Sequence, residues 1–138
     1  MTRPYSNALR CLQDVGLRPT RQRLALAKLL FDGEDRHVTA ELLQKEVGRI
    51  DAKVSLATIY NTLHQFTEAG LLKEVVVNPG KTYFDTNVSD HHHLYFKEED
   101  KLIDLKSDEL VISTLPNVPE GKKISGISVV VHMENCQN

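Results

Sequence analysis

Apolar residues recur every three or four positions through the first half of the chain, which is the period of an amphipathic helix. The pattern predicts one helix over 6–15, a second from near Thr20 to Asp32, and a third from Thr39 to about Gly48. Ser6 is the expected N-cap of the first helix. This part of the chain is therefore expected to be mainly helical.

A fourth helix separates its apolar and polar positions most clearly. Ser55 is its expected N-cap, and Gly70 follows its end near Ala69. One face is apolar and consists of Leu56, Ile59, Leu63 and Phe66. The other face carries no formal charge and holds Thr58, Asn61, Thr62 and Gln65, with Ala57 and Tyr60 beside it. A solvated surface helix usually has more lysine and glutamate, so this uncharged face favours contact with the base edges of DNA.

The pattern then changes from helical to β. Residues 72–78 and 81–84 are predicted to be two strands joined by the turn signal Asn78-Pro79-Gly80. Helices followed by a hairpin are the order of a winged helix-turn-helix DNA-binding domain, which we assign to residues 1–86. Residues 87–138 are predicted to form a small α/β dimerisation domain. Its expected elements are strands at 94–97, 102–105 and 124–133 and a short helix at 108–115. The predicted fold class is α+β.

The second domain is too small to bury a large core of its own. About 50 residues with three strands are marginal as an independent unit. Ile127, Val129, Val131 and Met133 alternate along the last strand, so one apolar face needs covering. A second copy of the chain is the expected cover, which predicts a homodimer. The alternative is a monomer in which this face packs on its own helix.

Composition limits the class of protein. The chain has 138 residues, 41% of them hydrophobic and 26% charged, which suits a folded protein with a core. No stretch approaches the roughly 20 apolar residues of a membrane span, and the first residues lack the apolar run of a secretory signal. The expected location is the cytoplasm, away from membranes. Cys11 and Cys136 are then expected to be free thiols.

The net charge of −2 is divided unevenly. Residues 1–86 carry 12 lysines and arginines against 10 acidic residues, and residues 87–138 carry 5 lysines against 9 acidic residues. The basic residues of the first part include a group at the start of the second helix, Arg18, Arg21 and Arg23 around Thr20. Free N–H groups of a helix N-terminus and guanidinium groups both suit phosphate. The alternative is a capped helix with solvated arginines.

Three consecutive histidines stand at the boundary between the two domains. In extended chain His91 and His93 share a face and can bind one ligand, while His92 points away. Neutral imidazole binds zinc, iron and haem iron. Asp85 can supply an oxygen, and His37 could approach from the first domain. Such a site would span both domains, so that its occupancy changes their relative angle. The alternative is a polar surface patch.

Four segments together resemble the ferric uptake regulator (Fur) superfamily: residues 16–23, 37–41, 55–63 and 91–94. Residues 60–72 and 84–88 resemble its Irr branch of iron response regulators. The resemblance implies a dimer whose recognition helix is 55–65, with Ser55, Ala57 and Thr58 at its start and Tyr60 and Asn61 close to the bases. Arg18 would reach the DNA backbone or minor groove. A regulatory metal site would consist of His37, Asp85, His91 and His93, with aspartate where the family usually has glutamate.

Two departures from the family pattern bear on the cofactor. Residues 95–101 lack the CxxC of many relatives, which predicts no structural zinc held by four cysteines. Asp90, His92 and His132 could form part of the family's other metal site, but no glutamate matches. Both departures fit the Irr branch, whose members sense haem through their histidine motif and act when iron is scarce. Haem is therefore expected at His91, His92 and His93.

The sequence thus predicts a haem-responsive transcription regulator of iron and haem genes that binds an AT-rich, palindromic DNA site. One alternative is a repressor that senses peroxide or a divalent metal such as Fe, Mn or Zn through the four predicted ligands. A metalloenzyme would also fit three histidines and a carboxylate, but no general base or nucleophile stands at a recognisable spacing. We therefore expect no enzyme activity and no small-molecule substrate. A haem-binding protein without a DNA role would leave the uncharged helix face unexplained.

Overall fold

The computed structural model describes residues 5–50 and 54–137, and it divides into two compact units, Met1–Val88 and Ser89–Asn138. In the described residues no helix is long and apolar enough to cross a bilayer. The assignment of DNA binding to residues 1–86 and of dimerisation to residues 87–138 stays a prediction.

The first unit contains four helices and a three-stranded sheet. The helices are α1 (Ser6–Asp14), α2 (Arg21–Phe31), α3 (Ala40–Gly48) and α4 (Leu56–Glu68). The strands are β1 (His37–Val38), β2 (Lys73–Asn78) and β3 (Lys81–Asp85), in the antiparallel order β1-β3-β2. This unit has the helices and hairpin expected of a winged helix.

Hydroxyl caps set the starts of three of these helices. Thr20, Thr39 and Ser55 each accept a hydrogen bond from the backbone N–H three residues later, which satisfies a donor that the helix itself leaves open. The predicted cap of α1 is wrong. Ser6 is already helical, and Tyr5 holds the cap position without a side-chain hydrogen bond.

The core of the first unit lies between the helices and the sheet. Its fully buried large side chains come from α1 to α4 and β3: Leu12, Leu26, Leu30, Leu43, Ile59, Leu63, Phe66 and Phe84. One residue predicted on the polar face of α4 is also inside. Thr62 is 5% exposed, and its hydroxyl donates to the carbonyl of Thr58, so the polar group is satisfied within the helix.

The second unit contains a small sheet of three short strands. They are β4 (His93–Phe96), β5 (Lys101–Asp104) and β6 (Val130–Met133), in the order β5-β4-β6. Strand β5 is antiparallel to β4, and β6 is parallel to it. The register places His93 opposite both Asp104 and Val130.

Two predictions for the second unit are wrong. Residues 108–115 are not helical, and the last strand covers only Val130–Met133 instead of 124–133. The predicted helix contains adjacent β-branched residues and ends at Pro116, so its helical propensity is low. The last strand is short because β4 offers it only four partners, the first of them His93.

Candidate functional site

The start of α4 exposes a mixed surface of small and polar side chains. The Ser55 hydroxyl accepts from the Thr58 N–H at 3.1 Å and lies 2.9 Å from the Thr58 hydroxyl, so both groups serve the cap. Ala57 and Asn61 are exposed one turn apart on the same face. Of the predicted base-contacting residues on α4, these two are therefore the most accessible.

Tyr60 is held against the neighbouring helix. Its hydroxyl donates to Oε1 of Glu41 on α3 at 3.0 Å. The Tyr60 ring stacks on the His64 ring, with centroids 6.3 Å apart and an angle of 22° between the planes. Burial raises the pKa of Tyr60, and the hydrogen bond and negative charge of Glu41 raise it further. Tyr60 is thus a neutral phenol in a defined orientation.

The arginines around Thr20 have different environments. Arg18 and Arg21 are exposed, and their contact with phosphate stays a prediction. Arg23 instead donates through Nε and Nη2 to the Gln65 side-chain oxygen, at 3.2 and 3.0 Å, and through Nη1 to the Arg18 carbonyl at 2.7 Å. Arg23 thereby connects the segment before α2 to α4.

In the first unit, two predicted metal ligands face each other. His37 and Asp85 are register partners in the β1–β3 pair, and His37 Nε2 lies 3.1 Å from Asp85 Oδ2. The Asp85 side chain is only 1% exposed, and its Oδ1 accepts the Asn87 N–H at 2.9 Å. A buried carboxylate requires such compensation.

In the second unit, His91 and His93 lie beside an acid that sequence reasoning missed. Asp104 Oδ1 is 3.1 Å from His91 Nε2 and 3.4 Å from His93 Nε2. One ligand atom from each of these three residues lies within 4.8 Å of the others. The register of the β4–β5 hairpin could have identified this acid from the sequence, because it places Asp104 directly opposite His93.

The hydrogen bond of His91 supports cation binding. Its Nδ1 lies 2.6 Å from the Ser89 carbonyl, and since a carbonyl only accepts, Nδ1 carries the proton. Nε2 would then be the atom that is open to a cation. Metal-binding histidines commonly donate their second N–H to a carbonyl in this way, which fixes the tautomer and the ring.

His92 has a different role from its neighbours. Its Nδ1 accepts the Val129 N–H at 3.1 Å, and the His93 N–H donates to the Val129 carbonyl at 3.0 Å. The His92 ring therefore fixes the chain just before β6. In the described residues, Asp90, His92 and His132 do not gather into a second group of metal ligands.

The donor sets suit a divalent transition metal. Bonds of about 2.0 to 2.2 Å place neighbouring ligand atoms about 2.8 to 3.1 Å apart in octahedral geometry and about 3.3 to 3.6 Å apart in tetrahedral geometry, a combined range of about 2.8 to 3.6 Å. The measured separations of 3.1 Å in the first unit and of 3.1 and 3.4 Å in the second lie in this range. Imidazole with carboxylate binds Zn²⁺, Fe²⁺ and Mn²⁺.

Comparison with known proteins gives a consistent result. The sequence model of the ferric uptake regulator family matches residues 14–132. The ferric uptake regulation protein of Rhizobium leguminosarum bv. viciae is 33% identical over 103 residues, which are 75% of this chain and 67% of that protein.

Solved structures agree with the fold. The ferric uptake regulator of Pseudomonas aeruginosa with manganese aligns over 94% of this chain and 98% of its own, with a TM-score of 0.69 and 24% identity. The ferric uptake regulator of Vibrio cholerae aligns over 91% of this chain and 98% of its own, with a TM-score of 0.71 and 23% identity. The α+β fold class is thereby confirmed. With a family match over most of its length, the chain belongs to the ferric uptake regulator family.

Proposed function

We propose that the protein is a DNA-binding transcription regulator, not an enzyme, whose DNA affinity depends on iron or another divalent metal. The observation that carries the proposal is the pairing of imidazole with carboxylate at metal-ligand separations in both units: His37 with Asp85, and His91 and His93 with Asp104. The names of the relatives, which are ferric uptake regulators, support the same function.

The proposed DNA surface consists of the exposed face of α4 and the segment before α2. Ala57, Asn61 and the partly exposed ring of Tyr60 would meet base edges. Arg18 and Arg21 would meet phosphate. Ser55, Thr20 and Arg23 would act indirectly, because their side chains are engaged in caps and in the connection to Gln65. A homodimer would present two such surfaces to a palindromic, AT-rich site.

We further propose that His37 and Asp85 join His91 and His93 in one regulatory site, as the family resemblance implies. These pairs belong to different units, so a shared ion would make the angle between the units depend on metal. Cobalt absorption would test this: one site that loses intensity equally in Asp85→Ala and His93→Ala supports sharing. Two sites that respond separately would contradict it.

The finer proposal is that haem is the effector, as in the Irr branch. It rests on the triple histidine and the flanking residues 84–88. His91 has its ligand atom oriented by the Ser89 carbonyl, whereas His92 would have to release the Val129 N–H before its Nδ1 could bind iron. We therefore expect His91→Ala to weaken haem binding more than His92→Ala.

One experiment tests the function and distinguishes its forms. The metal-free protein is incubated with a randomised DNA duplex pool, alone and with Mn²⁺, anaerobic Fe²⁺ or haem, and bound sequences are recovered. A motif selected only with Mn²⁺ or Fe²⁺ supports the metal-responsive form. A motif selected without metal and lost with haem supports the haem form. Failure to select a motif under any condition would overturn the proposed function.

A further inference from the structure

The polar face of α4 contains one aromatic side chain that is fixed from two sides. The Tyr60 hydroxyl is 3.0 Å from Glu41 Oε1, and its ring stacks on His64 at 6.3 Å. Glu41 belongs to α3 and His64 to α4, four residues after Tyr60. Tyr60 therefore has a partner for its hydroxyl and a partner for its ring.

Both partners of Tyr60, Glu41 and His64, lie on helices whose positions other contacts fix. Glu41 is in the first turn of α3, which the Thr39 cap holds in place. His64 meets Phe84 edge to face, with centroids 5.7 Å apart and planes at 76°. Phe84 is fully buried and pairs with Val38 in the sheet. Neither Glu41 nor His64 lies on a loop, so secondary structure fixes the backbone that carries each partner of Tyr60.

We propose that Glu41 and His64 are positioning residues that fix the Tyr60 ring on the DNA-facing surface and so determine base-pair preference opposite that ring. This inference rests on the proposed DNA-binding function. With its hydroxyl donated to Glu41, Tyr60 offers DNA its ring rather than a rotating hydroxyl. A side chain held in one geometry discriminates between bases better than a mobile one, because less ordering is required on binding.

Glu41 also has a simpler explanation. A carboxylate in the first turn stabilises a helix through its dipole. It also repels phosphate, so its removal raises affinity for any DNA. The conservative variant separates these effects: Glu41→Gln loses the charge but keeps an acceptor for the Tyr60 hydroxyl, whereas Glu41→Ala loses both. His64→Phe keeps a stacking ring, and His64→Ala loses it.

The test is selection from a randomised duplex pool, with base preference measured at each position of the selected motif. Tyr60→Ala identifies the position, because it removes the ring that faces the DNA, whereas Tyr60→Phe removes only the hydroxyl that Glu41 holds. We expect Glu41→Ala and His64→Ala to reduce preference at that position by about three- to tenfold, the size of a typical net hydrogen-bond or ring-contact contribution. Glu41→Gln and His64→Phe should retain it. Glu41→Ala should cause no further loss in a Tyr60→Phe background. Glu68→Ala removes an exposed acid of α4 and serves as the charge control.

Each outcome has one meaning. Unchanged preference in both alanine variants overturns the inference, as does an equal loss at every position that parallels a lower melting temperature. A loss in Glu41→Gln equal to that in Glu41→Ala assigns the effect to charge and also overturns it. If the unaltered protein selects a motif, these results concern the positioning residues alone. If it selects none, the proposed function itself is wrong.

Discussion

At the scale of single residues, the proposed metal site of the second unit includes one carboxylate. Asp104 Oδ1 is close to the Nε2 atoms of both His91 and His93. We expect Asp104→Asn to weaken Mn²⁺ binding by at least about tenfold, because an anionic ligand is replaced by a neutral amide. Calorimetric titration of metal-free protein measures this. Asp108→Asn, an exposed acid in the same unit, is the matched control, and equal affinities in the two variants would remove Asp104 from the ligands.

Tyr60 makes a prediction about pH. Burial and Glu41 raise its pKa above the ordinary value near 10, so the folded protein favours the neutral phenol. The stability that this provides is complete below the unfolded pKa and is lost as the pH rises through the folded one. The difference in tyrosinate absorbance between unaltered protein and Tyr60→Phe should have its midpoint above 10. In a Glu41→Ala background the midpoint should fall, and a midpoint that stays constant would remove Glu41 as a cause.

The two arginines that flank Gln22 should differ in their effects on DNA binding. Arg21 is exposed, and Arg21→Ala should reduce the salt dependence of binding by the equivalent of about one phosphate contact. Arg23 already donates to Gln65 and to the Arg18 carbonyl, so Arg23→Ala should lower the unfolding free energy as well. Binding isotherms across a salt series measure the salt dependence of DNA binding, and denaturant unfolding measures the unfolding free energy. Equal unfolding free energies of the two variants would argue against a stabilising role for the hydrogen bonds of Arg23.

At the scale of elements, the end of α4 depends on one glycine. Gly70 has a φ of +85°, its N–H donates to the Thr67 carbonyl, and the Leu71 N–H donates to the Phe66 carbonyl. Gly70→Ala should cost about 1 kcal/mol through this left-handed conformation, since no atom obstructs the added methyl group.

Gly48 is the matched control for Gly70. It is the last residue of α3, its φ is not in the left-handed region, and it too has open space around it. Gly48→Ala should therefore stabilise the protein or leave it unchanged, by helix propensity. Thermal unfolding should show a lower melting temperature for Gly70→Ala and a higher or unchanged melting temperature for Gly48→Ala. Equal shifts would show that backbone conformation does not matter at position 70.

Local signals account for the elements that sequence analysis predicted correctly. The caps Thr20, Thr39 and Ser55 act within one turn, and the hairpin of β2 and β3 depends on its own turn residues. The elements that were missed depend on distant partners. Strand β1 exists because it pairs with β3, roughly 50 residues later, and Asp104 reaches the histidines through strand register.

At the scale of the whole molecule, the second unit exposes many apolar side chains between β5 and β6. Val111 is 78% exposed, and Leu115, Val118, Ile124 and Ile127 are exposed as well. Strand β6 is also an edge of its sheet. Surfaces of this kind mark protein interfaces, which supports the proposed homodimer.

The dimer prediction follows from that surface. We expect Val111→Asp to weaken self-association by about tenfold or more, because an unpaired charge would be buried. Sedimentation over a concentration series measures the effect. Val76→Asp is the control, since Val76 is 59% exposed but belongs to the first unit. A protein that stays monomeric at all concentrations before any substitution would contradict the proposal directly.

The pairing of His37 with Asp85 has a consequence for chain entropy. These residues are separated by roughly 50 positions, so an ion held between them would act as a crosslink that closes a long loop in the unfolded chain. The crosslink would enclose α3, α4 and the β2–β3 hairpin. Metal depletion would then speed the slowest amide hydrogen exchange of the whole first unit, including that of α1, because Leu12 of α1 shares its core with α3 and α4.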